Sequence, residues 1–266
     1  MRKLILVGLV VLLSLYGLLL LFLYRYQEKL IFFPQKIDPS HRFSFPVPME
    51  ELWIESQGIR LHTLKFTKSN SKGVILFFHG NAGSLDSWGG LYEDFQRFDY
   101  DLWILDYRGY GKSEGSIQSE ESLHQDARAF YQTASLRYTG KEIIIYGRSI
   151  GTGIAASLAA EYPPNILFLE TPYYNLPDLV RSIYPFIPSF LVRYKLRNDR
   201  YVQNQRYPIH LIHGDKDGLI PHHCSERLSA LADNITLHTI QGAEHNNISA
   251  FPSYHALLRT LLSSSP

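Results

Sequence analysis

Four short stretches of this 266-residue sequence carry side chains suited to acyl transfer. In IIIYGRSIGTG an apolar run enters Gly147-Arg148-Ser149-Ile150-Gly151 and a small-residue segment follows. This is the G-x-S-x-G pattern of a nucleophile held on a sharp strand–turn–helix elbow. Gly147 and Gly151 must be small there so that strand and helix can pass closely. The turn would lift the Ser149 hydroxyl above the sheet, near the positive end of the following helix. A serine hydroxyl needs a general base, and the base needs an orienting carboxylate. IHLIHGDKDGLIP offers Asp215 and Asp217, and ITLHTIQGAEHNNI offers His245. Asp217 is the preferred acid, because the carboxylate must reach past its strand end and Leu219-Ile220-Pro221 can turn the chain away. Asp215 reads as a turn residue and stays the alternative. His245 follows a glycine after the last strand, where a base would hang over the sheet.

The fourth stretch is VILFFHGNAGS. A tetrahedral intermediate develops negative charge on oxygen, which calls for backbone N–H donors preset at that point. Asn81, or its neighbour Ala82, would supply one donor after Gly80, and Ile150 the other. His79 is expected to fix this loop by hydrogen bonding. One rival pattern overlaps the elbow. Gly151-Thr152-Gly153-Ile154-Ala155-Ala156 matches a dinucleotide fingerprint, with Glu170 about 20 residues on. Four residues intervene between that fingerprint and its strand, however, and close packing on the sheet accounts for the small side chains.

Composition narrows the chemistry further. Lys and Arg total 26 against 25 Asp and Glu, a net charge of +1, which lacks the basic footprint of a nucleic-acid binder. Cys224 is the one cysteine. It excludes an intrachain disulfide, a zinc knuckle, a haem-attachment motif and an iron–sulfur cluster. The chemistry sketched above needs no metal or organic cofactor.

The elements that must position these residues can be read from periodicity. Residues 51–56 and 58–66 alternate as an antiparallel pair about Gln57-Gly58. Continuous apolar runs at 74–78, 102–105, 143–146, 166–169, 209–212 and 235–240 suit strands buried on both faces. Between them, Leu123, Ala127, Phe130 and Ala134 mark one helix behind an N-cap at Ser119. Ile150–Glu161 marks another, stopped by Pro163-Pro164. This alternation predicts a mostly parallel, doubly wound α/β sheet, with ligands beyond the C-terminal strand ends.

Ahead of this domain, Leu4–Tyr24 runs 21 residues without a charge, long enough to span about 30 Å of hydrocarbon. Arg2 and Lys3 precede it, Arg25 and Lys29 follow, and Tyr24 and Tyr26 fall at an interface. The run is too long for a cleaved signal peptide and exits into YRYQEK rather than small residues. The expected division is a membrane anchor over 1–26, an extended and weakly structured connector over 27–50, and the catalytic domain over 51–266. The short N-terminal tail favours a domain facing the periplasm or lumen.

HGNAGS, DYRGYGKSEG, YGRSIGTG, HGDKDGLIP and GAEHNN together resemble the α/β-hydrolase superfamily. With the anchor leading into YRYQEKLIFFP, they are similar to its membrane-anchored serine hydrolases, which include protein depalmitoylases and lysophospholipid lipases. One departure is Glu244, where many relatives carry glycine before the histidine. The resemblance implies an α/β-hydrolase fold in which Ser149 is nucleophile, Asp217 acid, His245 base, and Asn81 and Ile150 oxyanion donors. Residues 171–206 would form the lid insert, mixing apolar side chains with Arg181, Arg193, Lys195, Arg197 and Arg200. That insert is expected to cover an acyl-chain pocket and to rest its basic edge on anionic headgroups. The expected partners are therefore the bilayer and a lipid or lipidated acyl ester or thioester, not nucleic acid. An aminopeptidase-type peptidase and a non-catalytic anchored binding module are the competing functions.

Overall fold

The computed structural model describes residues 1–263. Helix α1, Arg2–Arg25, has no buried residue and a mean hydropathy of 2.9 over its most apolar window. It is long and apolar enough to cross a membrane. The helix breaks at Tyr26, and the short helix α2, Gln27–Ile31, follows at once.

Eight strands form one sheet: β1 Met49–Ser56, β2 Ile59–Phe66, β3 Gly73–Phe78, β4 Tyr100–Leu105, β5 Glu142–Arg148, β6 Ile166–Glu170, β7 Ile209–Gly214 and β8 Ile235–Ile240. Their spatial order is β8-β7-β6-β5-β3-β4-β2-β1. β1 and β2 pair antiparallel, as do β2 and β4, and every other pairing is parallel.

The apolar runs of the central strands divide by parity because successive side chains point to opposite faces. Val74, Leu76, Phe78, Ile143, Ile145, Leu167 and Leu169 pack on one side. They meet helices α3, Glu120–Arg137, and α4, Gly151–Glu161. Ile75, Phe77, Ile144, Tyr146 and Phe168 face the other side, where Tyr254, Leu258 and Leu262 of the C-terminal helix close the core. Double-sided burial is what makes these strands read as unbroken apolar runs. The expected cap of α3 is present, with the Ser119 hydroxyl accepting from the Ser122 N–H at 3.1 Å.

The connector departs from expectation. It docks instead of hanging as a weakly structured strap. Phe33–Pro34 pairs in parallel with Ala82–Gly83, and Lys36 bridges to Gly111. Phe32 is buried, and Phe43 and Phe45 pack against the second core cluster. Burial of Phe32 and the packing of half-buried Phe43 and Phe45 outweigh the freedom that four prolines suggested.

The insert between β6 and β7 contains helix α5, Leu176–Ile183, capped by Asn175, whose side chain accepts from the Asp178 N–H. Its return leg binds α2. The Gln27 side chain donates to the Leu191 carbonyl at 2.7 Å and accepts from the Arg193 N–H at 2.8 Å, and Arg193 pairs with Glu28 at 2.9 Å. Arg197 pairs with Asp199. Two of the five expected headgroup-facing cations are thus engaged by carboxylates of the protein itself.

Candidate active site

Strand β5 delivers Ser149 into a turn where its φ is 54°, a left-handed conformation costly to any residue with a Cβ. The turn is held from several sides. The Ser149 N–H donates to the Glu170 carbonyl at 2.9 Å, its carbonyl accepts from the Thr152 hydroxyl at 2.7 Å, and the Tyr173 hydroxyl donates to the Ile150 carbonyl at 3.1 Å. The two flanking glycines are required by contact. A Cβ on Gly147 would sit 2.7 Å from the Ala155 Cβ, and one on Gly151 would overlap the Phe78 and His79 carbonyls. This packing, not a phosphate cradle, is what Gly151 serves. Gly153 lies against Tyr173 and Leu196 in the same way.

The structure brings Ser149, His245 and Asp217 together. Ser149 Oγ lies 3.0 Å from His245 Nε2, and His245 Nδ1 lies 2.7 Å from Asp217 Oδ2. All three are 8–9% exposed. Burial alone would raise the Asp217 pKa. Hydrogen bonds from His213, His245 and the Ile220 N–H more than offset it and hold the carboxyl well below the usual carboxylate range. An ionised Asp217 only accepts, so Nδ1 of His245 carries the proton and Nε2 is free to receive one. Asp215 does not join them. Its carboxylate accepts from the Gly242 N–H at 2.6 Å, as a turn residue would. Glu244 is exposed beside the histidine.

The Gly80-Asn81-Ala82 loop lies opposite, with Gly80 close enough that an added Cβ would stand 3.9 Å from the Ser149 Cβ. Among the described residues, neither the Asn81 nor the Ile150 N–H donates to another protein group. Several residues fix this loop. His79 Nδ1 donates to the Gly80 carbonyl at 2.7 Å. The Tyr107 hydroxyl donates to the His79 carbonyl at 2.7 Å and the Tyr110 hydroxyl to the Asn81 carbonyl at 2.6 Å. The Asn81 side chain donates to the Ile31 carbonyl of α2 at 3.0 Å.

Sequence reasoning assigned no role to several supporting groups. Buried His213 lies 3.2 Å from Asp217 Oδ2 through Nε2, and its Nδ1 accepts a hydrogen bond from the Ser225 hydroxyl at 2.6 Å. Arg148 pairs with buried Glu170 at 3.0 Å and donates to the His245 carbonyl at 3.3 Å. Tyr146 donates to the same glutamate at 2.5 Å. Its burial, and then Glu170 itself, push the phenol pKa well above its ordinary value, so it stays a donor. Glu170 is therefore an internal counterion, not a ribose ligand.

One cavity adjoins the site and a second lies apart from it. The first, of about 540 Å³, is lined by Ala82, Trp88, Asp94, Arg148 and Ser249. The second, of about 630 Å³, at the exit of α1, is lined by Arg25, Lys29, Lys36, Arg108, Arg193 and Tyr110 among others. Among the described residues, no group of three or more His, Cys, Asp or Glu side chains is placed to hold a metal ion.

An eight-stranded sheet of this order, with a serine elbow after β5 and an acid and a histidine after β7 and β8, is the α/β-hydrolase arrangement, and the chain has that fold. The family model described as serine aminopeptidase, S33, matches residues 69–199. Lysophosphatidylserine lipase ABHD12 of Xenopus tropicalis is 30% identical, covering 79% of this chain and 63% of the relative. Protein bem46 of Schizosaccharomyces pombe is 29% identical, covering 75% and 73%. The chain spans about three fifths of the length of the lysophosphatidylserine lipases it matches. Among solved structures, an esterase of Pyrococcus furiosus superposes with a TM-score of 0.71 at 18% identity, covering 88% of this chain and 97% of that one. An α/β serine hydrolase without lid from Xanthomonas campestris gives 0.63 at 16%, covering 85% and 100%.

Proposed function

We propose that this chain is a membrane-anchored serine hydrolase that cleaves the acyl ester of a membrane lipid, of the lysophospholipid class, through an acyl-enzyme. The carrying observation is the relay of 3.0 Å from Ser149 to His245 and 2.7 Å from His245 to Asp217. In this reading Ser149 Oγ attacks the ester carbonyl while His245 Nε2 takes its proton. Asp217 stabilises the imidazolium, and the N–H groups of Ile150 and Asn81 receive the developing oxyanion, with Ala82 the alternative to Asn81. His245 then protonates the leaving alcohol, and water repeats the cycle on the acyl-enzyme. Support for a lipid substrate comes from α1, from the relatives named as lysophosphatidylserine lipases, and from the basic cavity at the exit of α1, which suits an anionic headgroup. Tethering raises the effective concentration of substrates already in the bilayer. With α1 as anchor, the domain would face the periplasm or lumen, which protease shaving of sealed vesicles tests.

A series of acyl esters and thioesters from acetyl to palmitoyl, with Ser149→Ala as control, tests the reading. Medium or long chains should be preferred, and equal rates along the series would count against it. The matched family description favours a second reading, an aminopeptidase. Faster turnover of aminoacyl-arylamides than of esters would establish that one. Failure of a fluorophosphonate to label Ser149 would instead point to a binding module without catalysis.

A further inference from the structure

The insert contains an unusual stretch. Residues 182–192, SIYPFIPSFLV, carry no charge and are bracketed by Arg181 and Arg193. Ile183, Tyr184, Phe186 and Phe190 are 45%, 49%, 53% and 78% exposed. Exposed apolar side chains in one contiguous loop call for an apolar surrounding. The depth of that loop is fixed by a contact to the anchor. The Tyr16 hydroxyl donates to the Phe186 carbonyl at 2.6 Å. Tyr16 lies nine residues before Arg25, so it stands about 14 Å along the helix axis from the exit of α1. One leaflet's hydrocarbon is about 15 Å deep.

We propose that residues 183–191 are seated in the hydrocarbon of the leaflet that α1 leaves, and that the groove between this loop and α1 takes the acyl chain of a bilayer lipid. Backbone polar groups at that depth must be satisfied internally. The loop largely meets this demand. The N–H groups of Tyr184, Ile187 and Leu191 donate to the Val180, Tyr184 and Pro188 carbonyls, and Pro185 and Pro188 have no N–H to satisfy. The Phe186 and Leu191 carbonyls accept from Tyr16 and Gln27. The groove measures about 410 Å³ and is walled by Leu19, Leu23, Leu30, Ile31, Ile187 and Val192 among others, a size ordinary for a small-molecule site. Its inner wall reaches the catalytic loop, since the Ile31 carbonyl accepts from the Asn81 side chain. A lipid could thus present its ester to Ser149 without its chain leaving the membrane. The proposal rests on the reading of α1 as a membrane span and of the chain as a lipid ester hydrolase.

The full chain, reconstituted in phosphatidylcholine vesicles containing a phosphatidylcholine with a diazirine in its acyl chain, provides the test. Photolysis followed by peptide mass spectrometry should find adducts both on α1 and within residues 183–191. Adducts on α1 with none on 183–191 overturn the proposal. The variants Phe186→Asp and Ile187→Asp, both in the groove wall, should reduce adducts on the loop at least tenfold. They should also lower palmitoyl-ester turnover at least tenfold more than acetyl-ester turnover, and an equal loss on both overturns the groove as an acyl site. Loop adducts in a protein that neither turns over esters nor labels with fluorophosphonate would uphold the groove and remove the hydrolase. Ester turnover without loop adducts would do the reverse.

Discussion

The backbone at Ser149 makes a prediction whose sign is opposite to the usual one. Its φ of 54° lies in the left-handed region, where a residue with a Cβ is strained by about 1–2 kcal/mol. Ser149→Ala and Ser149→Gly both remove the hydroxyl that faces His245, so that loss cancels between them. Ala keeps the strain and Gly releases it. Against this, Gly loses about 0.5–1 kcal/mol more on ordering than Ala does. The difference leaves Ser149→Gly more stable than Ser149→Ala by about 0.5–1 kcal/mol, whereas at an ordinary position Ala would win. For a domain of this size that corresponds to about 1–4 °C in Tm. Thermal unfolding followed by tryptophan fluorescence in detergent, with urea titration beside it, reads the difference. Both variants should lose ester turnover and fluorophosphonate labelling, so folding stability alone separates them. An alanine variant as stable as the glycine variant would refute the claim that the elbow is strained.

Gly151→Ala drives a methyl group into the Phe78 and His79 carbonyls; overpacking should cost about 1–3 kcal/mol in urea unfolding and disturb turnover through Ser149. Arg148→Met strips buried Glu170 of its ion pair, which should cost about 3 kcal/mol or more, and Glu170→Gln added to it should recover much of that stability. Turnover should stay reduced in the double variant, because the His245 carbonyl has lost its donor. His210 makes the acid side of stability informative. Its burial, with neighbouring His238, lowers its pKa from 6.5 to about 4. The unfolded chain therefore takes up that proton first, and stability falls as pH drops from 6.5 towards 4. In pH-dependent urea unfolding, His210→Leu should flatten the slope over that window and leave it unchanged above pH 7.

The strand ends were legible because β-strands buried on both faces announce themselves as unbroken apolar runs, and glycine marks where each stops. The elbow was legible for a related reason: Gly147 and Gly151 are dictated by close packing, a constraint local to the chain. What stayed hidden depends on partners distant in sequence. Arg148 meets a carbonyl at 245, and His213 finds its significance only after Asp217 folds back beside it. The connector was misread because Pro34, Pro39, Pro46 and Pro48 signal the absence of helix, and they say nothing about whether the neighbouring phenylalanines find a surface. Phe32, Phe43 and Phe45 do. The insert's arginines were likewise read as an edge resting on anionic headgroups, although Glu28 and Asp199 wait for two of them.

The bond from Asn81 to Ile31 changes what the N-terminal segment is. A tether can be cut or exchanged with no effect beyond release, but a brace cannot. Cleavage after residue 26 would spare this hydrogen bond, whereas cleavage after residue 32 would remove it together with the Gln27 clamp on the insert. The structural unit that holds the catalytic loop therefore begins before the domain boundary that sequence composition suggests.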